Sequence, residues 1–210
     1  MFWSKKKVLV TGSEGLMGKP MCEALEEQGA EVTRVDLVLG HDIRKPGLVR
    51  NTMAGHDVCI HLAALSNVEE SRKSVPLVWQ VNIEGTWNVL QAASEWQIPA
   101  TLVASSNHVY GPQDTYPADE TAPLNQLDTY SITKICSDYL ARAYAHNYDL
   151  AVAVIRNTNC FGPRDVHSSH IVPGTIQTIL DGQPPVIRGS GATKKGYLYV
   201  EDVVFAYLLV

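Results

Sequence analysis

Gly12, Gly15 and Gly18 stand between an apolar run, Lys7-Val-Leu-Val-Thr11, and a stretch of helical spacing, Pro20-Met-Cys-Glu-Ala-Leu-Glu-Glu-Gln28. A buried strand that turns sharply into a helix through such a loop is the opening of a β-α-β unit, which needs a parallel neighbour. Glycines let the backbone turn tightly and approach a pyrophosphate. The unpaired N–H groups and partial positive charge of the helix start then attract the anion. A tight helix-packing turn is the plainer alternative. Further along, apolar β-branched segments at Glu31–Asp36, Val58–His61, Thr101–Ser105 and Leu150–Arg156 alternate with helical patterns from about Pro76 to Trp96 and over Thr129–Tyr148. Strands separated by helices of this length predict an α/β fold, a doubly wound parallel sheet. Ligands of such sheets sit beyond the carboxyl ends of the strands.

Composition excludes several partners. The chain has 210 residues and a formal charge of −5, so nucleic acid or an anionic membrane is not expected to bind it. Cys22, Cys59, Cys136 and Cys160 are widely spaced and form no Cys-x-x-Cys, which reads as reduced, buried thiols and a cytoplasmic protein. Lys5, Lys6 and Lys7 precede an apolar stretch too short for a signal-peptide core, and nothing later approaches a membrane span. His167 and His170 are separated by two serines with no carboxylate or cysteine partner near them in that reading, so no metal site is expected.

The candidate chemistry lies at the strand ends. Asp36 closes the second strand where a carboxylate can accept from adenosine ribose hydroxyls. Its charge repels a 2′-phosphate, which favours NAD over NADP; Arg34, two residues earlier, reads as a solvated charge. Tyr130 and Lys134, one helical turn apart, project from the same face of their helix. A nearby ammonium would pull the phenol below its usual value of about 10. Ser106, at the end of the fourth strand, reads by itself as a turn-capping serine. Leu62, Ala63 and Ala64 are small or apolar enough for a cofactor to lie close, or are an ordinary strand end.

The motifs in order, Thr11-Gly12 to Gly18, Asp36, His41-Asp42-Ile43-Arg44, His61-Leu62-Ala63-Ala64, Asn82-Ile-Glu-Gly85-Thr86, Ser105-Ser106-Asn107-His108-Val109-Tyr110-Gly111, Tyr130 to Lys134, Arg156-Asn-Thr-Asn159-Cys-Phe-Gly-Pro163 and Tyr197-Leu-Tyr-Val-Glu-Asp202, resemble the extended short-chain dehydrogenase/reductase family. The likeness is to its nucleotide-sugar epimerase/dehydratase branch, and it covers the chain. It implies a Rossmann-type domain over residues 1–160 and a partial substrate-binding region over residues 161–210. It implies an NAD site built from Gly12, Ser13, Gly15, Leu16, Met17, Gly18, Asp36, Asp42, Ile43, Leu62, Ala63, Ala64, Asn82, Tyr130 and Lys134. Tyr130, Lys134, Ser106, Asn107 and His108 are the implied catalytic group. Ser106, Asn159 and Lys195 are the implied contacts to a nucleotide-diphosphate sugar, with Lys194, Arg164 and Arg188 as further cations for the diphosphate.

The branch holds two main reactions. Related 4,6-dehydratases carry an acidic residue where this chain has Asn107, and Glu or Lys where it has His108. Without a carboxylic acid at Asn107, expulsion of the sugar C6 hydroxyl as water loses its proton donor, which favours epimerisation at C4 by transient oxidation and re-reduction. His108 is read either as a proton shuttle, a role imidazoles commonly fill, or as a polar loop residue. Against this, Ile171-Val-Pro-Gly-Thr-Ile176, Pro185-Val-Ile-Arg188 and Tyr197 to Val203 resemble CDP-glucose 4,6-dehydratases. A dehydrogenase/reductase that releases its product, and an NAD-binding module without turnover, are further readings. Relatives continue for roughly another 100 residues, so the final apolar helix is expected to lack cover for its face and last carbonyls. They also dimerise through helices equivalent to Pro76–Trp96 and Thr129–Tyr148, where Trp79, Trp87 and Tyr144 suit a homodimer interface or a core.

Overall fold

The computed structural model describes residues 2–66, 71, 74–113, 117–187 and 189–210. Five strands, β1 (Lys7–Thr11), β2 (Glu31–Val35), β3 (Val58–His61), β4 (Ala100–Ala104) and β5 (Val152–Ile155), form a parallel sheet in the order β2-β1-β3-β4-β5. The central strands β1, β3 and β4 are buried almost throughout, which is why they read as unbroken apolar runs rather than alternating ones. Strand order reverses between β1 and β3, and this opens a crevice at their carboxyl ends. The expected doubly wound, Rossmann-type sheet is what the chain forms.

Alternate strand residues feed two cores. Leu9, Cys59 and Val103 point into a layer closed by α2 (Pro46–Met53), α4 (Gly85–Glu95) and α5 (Thr129–Tyr148), through Val49, Met53, Val89, Leu90, Ala93, Ala141 and Tyr144. Val8, Val10, Val58, Ile60, Leu102 and Ala104 point the other way, against Met21, Cys22 and Leu25 of α1 (Gly18–Glu27) and Val203, Val204 and Tyr207 of α7 (Val200–Leu209). The face of α7 is therefore covered, contrary to expectation. The carbonyl of Leu208 accepts from Trp3 Nε1 at 3.3 Å, although Phe205, Leu209 and Val210 stay exposed.

Two helices differ from the sequence reading. Helix α2 was not anticipated; Pro46 at its first turn, where a missing N–H costs nothing, starts it. The long helix expected from about Pro76 to Trp96 is α3 (Val75–Trp79), a π turn over Gln80–Glu84 and then α4. Beyond β5, β6 (Asn159–Phe161) pairs in parallel with β7 (Tyr197–Tyr199), and α6 (Ile171–Leu180) lies between them in sequence with no buried residue. Among the described residues no helix is long and apolar enough to cross a membrane.

Candidate active site

The glycine turn after β1 has no room for side chains. Gly12 sits at φ +72°, and a Cβ there would lie 2.7 Å from the Ala63 backbone nitrogen. A Cβ on Gly18 would lie 1.9 Å from the Gly12 carbonyl oxygen. Helix α1 begins at Gly18 with no side-chain cap, so no hydroxyl or carboxylate competes for the partial positive charge of its start, although Lys19 N already bonds the Gly15 carbonyl at 3.2 Å. Asp36 braces the turn: its carboxylate accepts from Glu14 N at 3.0 Å and Val38 N at 3.1 Å. Arg34 is not a free surface charge. Its guanidinium bonds Glu26 at 3.0 Å and lies 3.7 Å from Glu14, so it is neutralised by carboxylates. Further out, Asp42 is held by Arg44 at 2.6 Å, which keeps its carboxyl below the usual range. Ile43 is pinned to α4, where its carbonyl accepts from Asn88 and its side chain fills the space a Gly85 Cβ would need.

A continuous cleft of about 1780 Å³ runs from this turn to β6, β7 and α6. Ligand pockets are commonly about 300–1,000 Å³, so the cleft has room for more than one ligand. Gly12, Gly15, Leu16, Met17, Gly18, Asp36, Asp42, Ile43, Leu62, Ala63 and Ala64 line one part; Ser106, His108, Tyr130, Lys134, Asn159 and Lys195 line the rest. Ser13 and Asn82 lie beneath the wall, both buried.

At the end of β4, Ser106 caps a 3₁₀ turn (Asn107–Tyr110) by accepting from His108 N at 3.2 Å. Arg156 joins Tyr110 to the buried Asp138 of α5, with bonds of 2.9 and 2.8 Å, and so clamps this turn to the helix. Tyr130 and Lys134, on the first turns of α5, are both buried. Burial pushes the Tyr130 phenol up to about 12, against the hydrogen bond from Ser106 that draws it down. The expected lowering by Lys134 does not occur in the protein alone, because the ammonium turns to the Ala104 carbonyl, 2.9 Å away. Burial in turn lowers Lys134 to about 8. His108 stands edge-on to Tyr130, ring centres 6.2 Å apart, and shares a 3.2 Å contact with Asn159 Oδ1.

Asn107 is not among the residues lining the cleft, although its partner Thr158 is. Its Nδ2 donates to Thr158 Oγ1 at 3.1 Å, and its Oδ1 is buried without a partner. Of the diphosphate candidates, Lys194 and Lys195 line the cleft, Arg164 is paired with Glu23 at 3.1 Å, and Arg188 lies outside the described residues. His170 does have a carboxylate partner: Asp165, almost wholly buried, lies 2.9 Å from its Nδ1. Among the described residues no group of three or more His, Cys, Asp or Glu is arranged to hold a metal. Tyr144 is a core residue bonded to Gln91, whereas Trp79 and Trp87 are 42% and 49% exposed.

The wall fits a dinucleotide on its own evidence. Besides the glycine cradle, His41 Nδ1 near Asp42 and Ser105 Oγ beside Ser106 are buried in the lining without hydrogen-bond partners. Such atoms ordinarily find one. Both stand inside motifs visible in the sequence, but neither was given a role of its own there.

Known proteins agree with this geometry. The Low-salt glycan biosynthesis protein Agl12 of Haloferax volcanii is 31% identical over 93% of this chain and 69% of its own. A crystal structure of DesIV, a dTDP-glucose 4,6-dehydratase from Streptomyces venezuelae with NAD and TYD bound, superposes with a TM-score of 0.90 at 28% identity, over 97% of this chain and 71% of that one. UDP-glucose 4-epimerase from Thermotoga maritima with UDP-glucose gives a TM-score of 0.91 at 26% identity, over 97% and 72%. The profile of one family matches residues 8–210, and the chain belongs to it: the NAD dependent epimerase/dehydratase family.

Proposed function

We propose that this protein is an NAD-dependent nucleotide-sugar 4-epimerase, with residues 1–160 holding the dinucleotide and residues 161–210 contributing to the substrate side. The carrying observation is the set of groups around Tyr130. Ser106, His108, Lys134 and Asn159 share its part of the cleft, and none is a carboxylate. Among the described lining residues the carboxylates are Asp36 and Asp42, beside the glycine turn, and Asp165, tied to His170. A 4,6-elimination needs an acid to expel hydroxide as water; an epimerisation needs only one group that takes and returns a hydroxyl proton.

NAD, the family's cofactor, supplies when bound a reversible hydride acceptor. The chain's residues do the rest. Gly12, Gly15 and Gly18 keep side chains out of the turn so that its backbone and the start of α1 can approach the pyrophosphate, and Asp36 keeps lone pairs for ribose hydroxyls. Tyr130 takes the proton of the sugar C4 hydroxyl and Ser106 bonds the same oxygen; Lys134, whose ammonium in the protein alone bonds the Ala104 carbonyl, would favour the phenolate on turning toward it. Asn159 and Lys195 hold the substrate diphosphate, Lys195 as a point charge without the bidentate fork of arginine.

A 4,6-dehydratase is the second reading, favoured by His108, an acid/base beside Tyr130 in the position where the related dehydratases carry Glu or Lys. The test is incubation of the chain with catalytic NAD and a panel of UDP-, GDP-, CDP- and dTDP-sugars, followed by mass spectrometry and NMR. A stereoisomer of unchanged mass supports the epimerase; loss of water supports the dehydratase. Stoichiometric reduced cofactor indicates a dehydrogenase, and NAD binding without turnover a binding module. We also propose a homodimer through α3, α4 and α5, where Trp79, Trp87 and Tyr139 are exposed. Trp87→Glu is expected to leave a monomer in sedimentation, with Tm little changed.

A further inference from the structure

Behind the cleft wall lies a row of buried polar side chains that the chemistry above does not use. His61, the last residue of β3, is 3% exposed and engaged at both ring nitrogens. Thr11 Oγ1 lies 2.7 Å from Nδ1, and Thr86 Oγ1 lies 2.9 Å from Nε2. Donor and acceptor counts set the direction of each bond. A hydroxyl has one hydrogen. That of Thr86 goes to the Asn82 carbonyl, 2.6 Å away, which can only accept. Thr86 Oγ1 therefore accepts from His61, and Nε2 carries the ring hydrogen. The bare Nδ1 then accepts from the Thr11 hydroxyl, whose oxygen accepts from Ala63 N at 3.3 Å. From Asn82 the path continues through Nδ2 to Thr133 Oγ1 at 2.9 Å, and from Thr133 to the Tyr130 carbonyl at 2.7 Å.

The path begins at the residue before Gly12 and ends on the backbone of Tyr130. Its members Thr11, His61, Asn82, Thr86 and Thr133 are each no more than 3% exposed. Asn82 sits in the π turn, a distortion of a kind that concentrates at functional sites, and its carbonyl also accepts from Ser137 at 2.7 Å. A histidine suits the centre because it is a rigid spacer with an acceptor at one edge and a donor at the other. The imidazolium form would put an N–H against the Thr11 donor. Burial, reinforced by Lys134, pushes His61 down to about 3, so that form is not reached near neutrality.

We propose that His61 is a positioning residue: locked as the neutral Nε2–H tautomer, it fixes the register between the glycine turn and the Tyr130 turn of α5, so that seating of the dinucleotide and placement of the phenol depend on one another. This rests on Tyr130 being the acid/base.

Two measurements test it. In ¹⁵N-histidine-labelled wild-type protein, long-range ¹H–¹⁵N spectra should show one ring in the Nε2–H tautomer that does not titrate between about pH 5 and pH 8, and that signal should be missing from His61→Gln. Titration of that ring, or an Nδ1–H tautomer, overturns the proposal. The second measures NAD Kd, kcat against pH and Tm for His61→Leu, which cuts both bonds, and for His61→Gln, which keeps a donor toward Thr86. Leu should raise NAD Kd by about tenfold or more and shift the pH profile of kcat, with partial recovery in Gln. A fall in Tm alone, with Kd and pH profile unchanged in the folded protein, makes His61 merely structural and overturns the proposal. Absence of turnover with every sugar would count against the reading of Tyr130, while the tautomer and NAD Kd would still decide for or against the register claimed for His61.

Discussion

A buried ammonium costs stability, and Lys134 is such a group: 6% exposed, bonded to one carbonyl and paired with no carboxylate among the described residues. Its proton is held less tightly in the folded chain, at about 8 against an ordinary 10.5, so the unfolded chain binds more protons between those values. Stability must then rise with pH across that window, and the penalty is fully present below it. Lys134→Met is expected to abolish turnover yet raise Tm by a few degrees at pH 7, with the gap from wild type closing as pH climbs from about 8 toward 10.5. Equal Tm values at neutral pH would contradict this. The spacing of Tyr130 and Lys134 was legible in the sequence, since four residues make one helical turn. The sign of the Tyr130 shift was not, because burial of the phenol sets it while the Ala104 carbonyl, 30 positions from Lys134 in sequence, holds the ammonium.

Local segments show the same division. The glycine turn and α5 announce themselves through residues whose reasons are local: glycines with no space for a Cβ, and Asp128 accepting from Ser131 N to start the helix. Gly18→Ala must displace backbone, since the new Cβ meets the Gly12 carbonyl; expected are a loss of about 2–5 kcal/mol in denaturant unfolding and loss of measurable NAD binding. The π turn could not be read, because one extra residue in a turn leaves the apolar spacing almost unchanged. Helix α2 was missed although Pro46 was visible, being only eight residues long. Asn107 was judged by its place in a motif, but the 3₁₀ turn points its amide at Thr158. Asn107→Asp is accordingly expected to form no dehydrated product and to lose about 1–3 kcal/mol, because it buries a carboxylate beside a hydroxyl already donating to Gly196. A product lighter by one water would refute that placement.

Between the two layers the burden of closure is unequal. One is sealed by α2, α4 and α5, contributed from the middle of the chain; the other by α1 together with α7. Tyr207 is fully buried there and its hydroxyl reaches Asn157 Oδ1 at 3.3 Å, so Tyr207→Ala should cost about 3–5 kcal/mol and Tyr207→Phe about 1, both read from urea midpoints. This long-range pairing was invisible in sequence, where α7 reads simply as an apolar run with no stated partner. It also has a consequence for biosynthesis. A ribosome delivers β1 to β5 and α1 well before residues 200–209, so the sheet face of Val8, Val10, Ile60, Leu102 and Ala104 stays only partly covered, by α1 alone, until α7 emerges. Nascent chains halted short of α7 should recruit holdase chaperones and yield readily to protease, whereas chains carrying it should not.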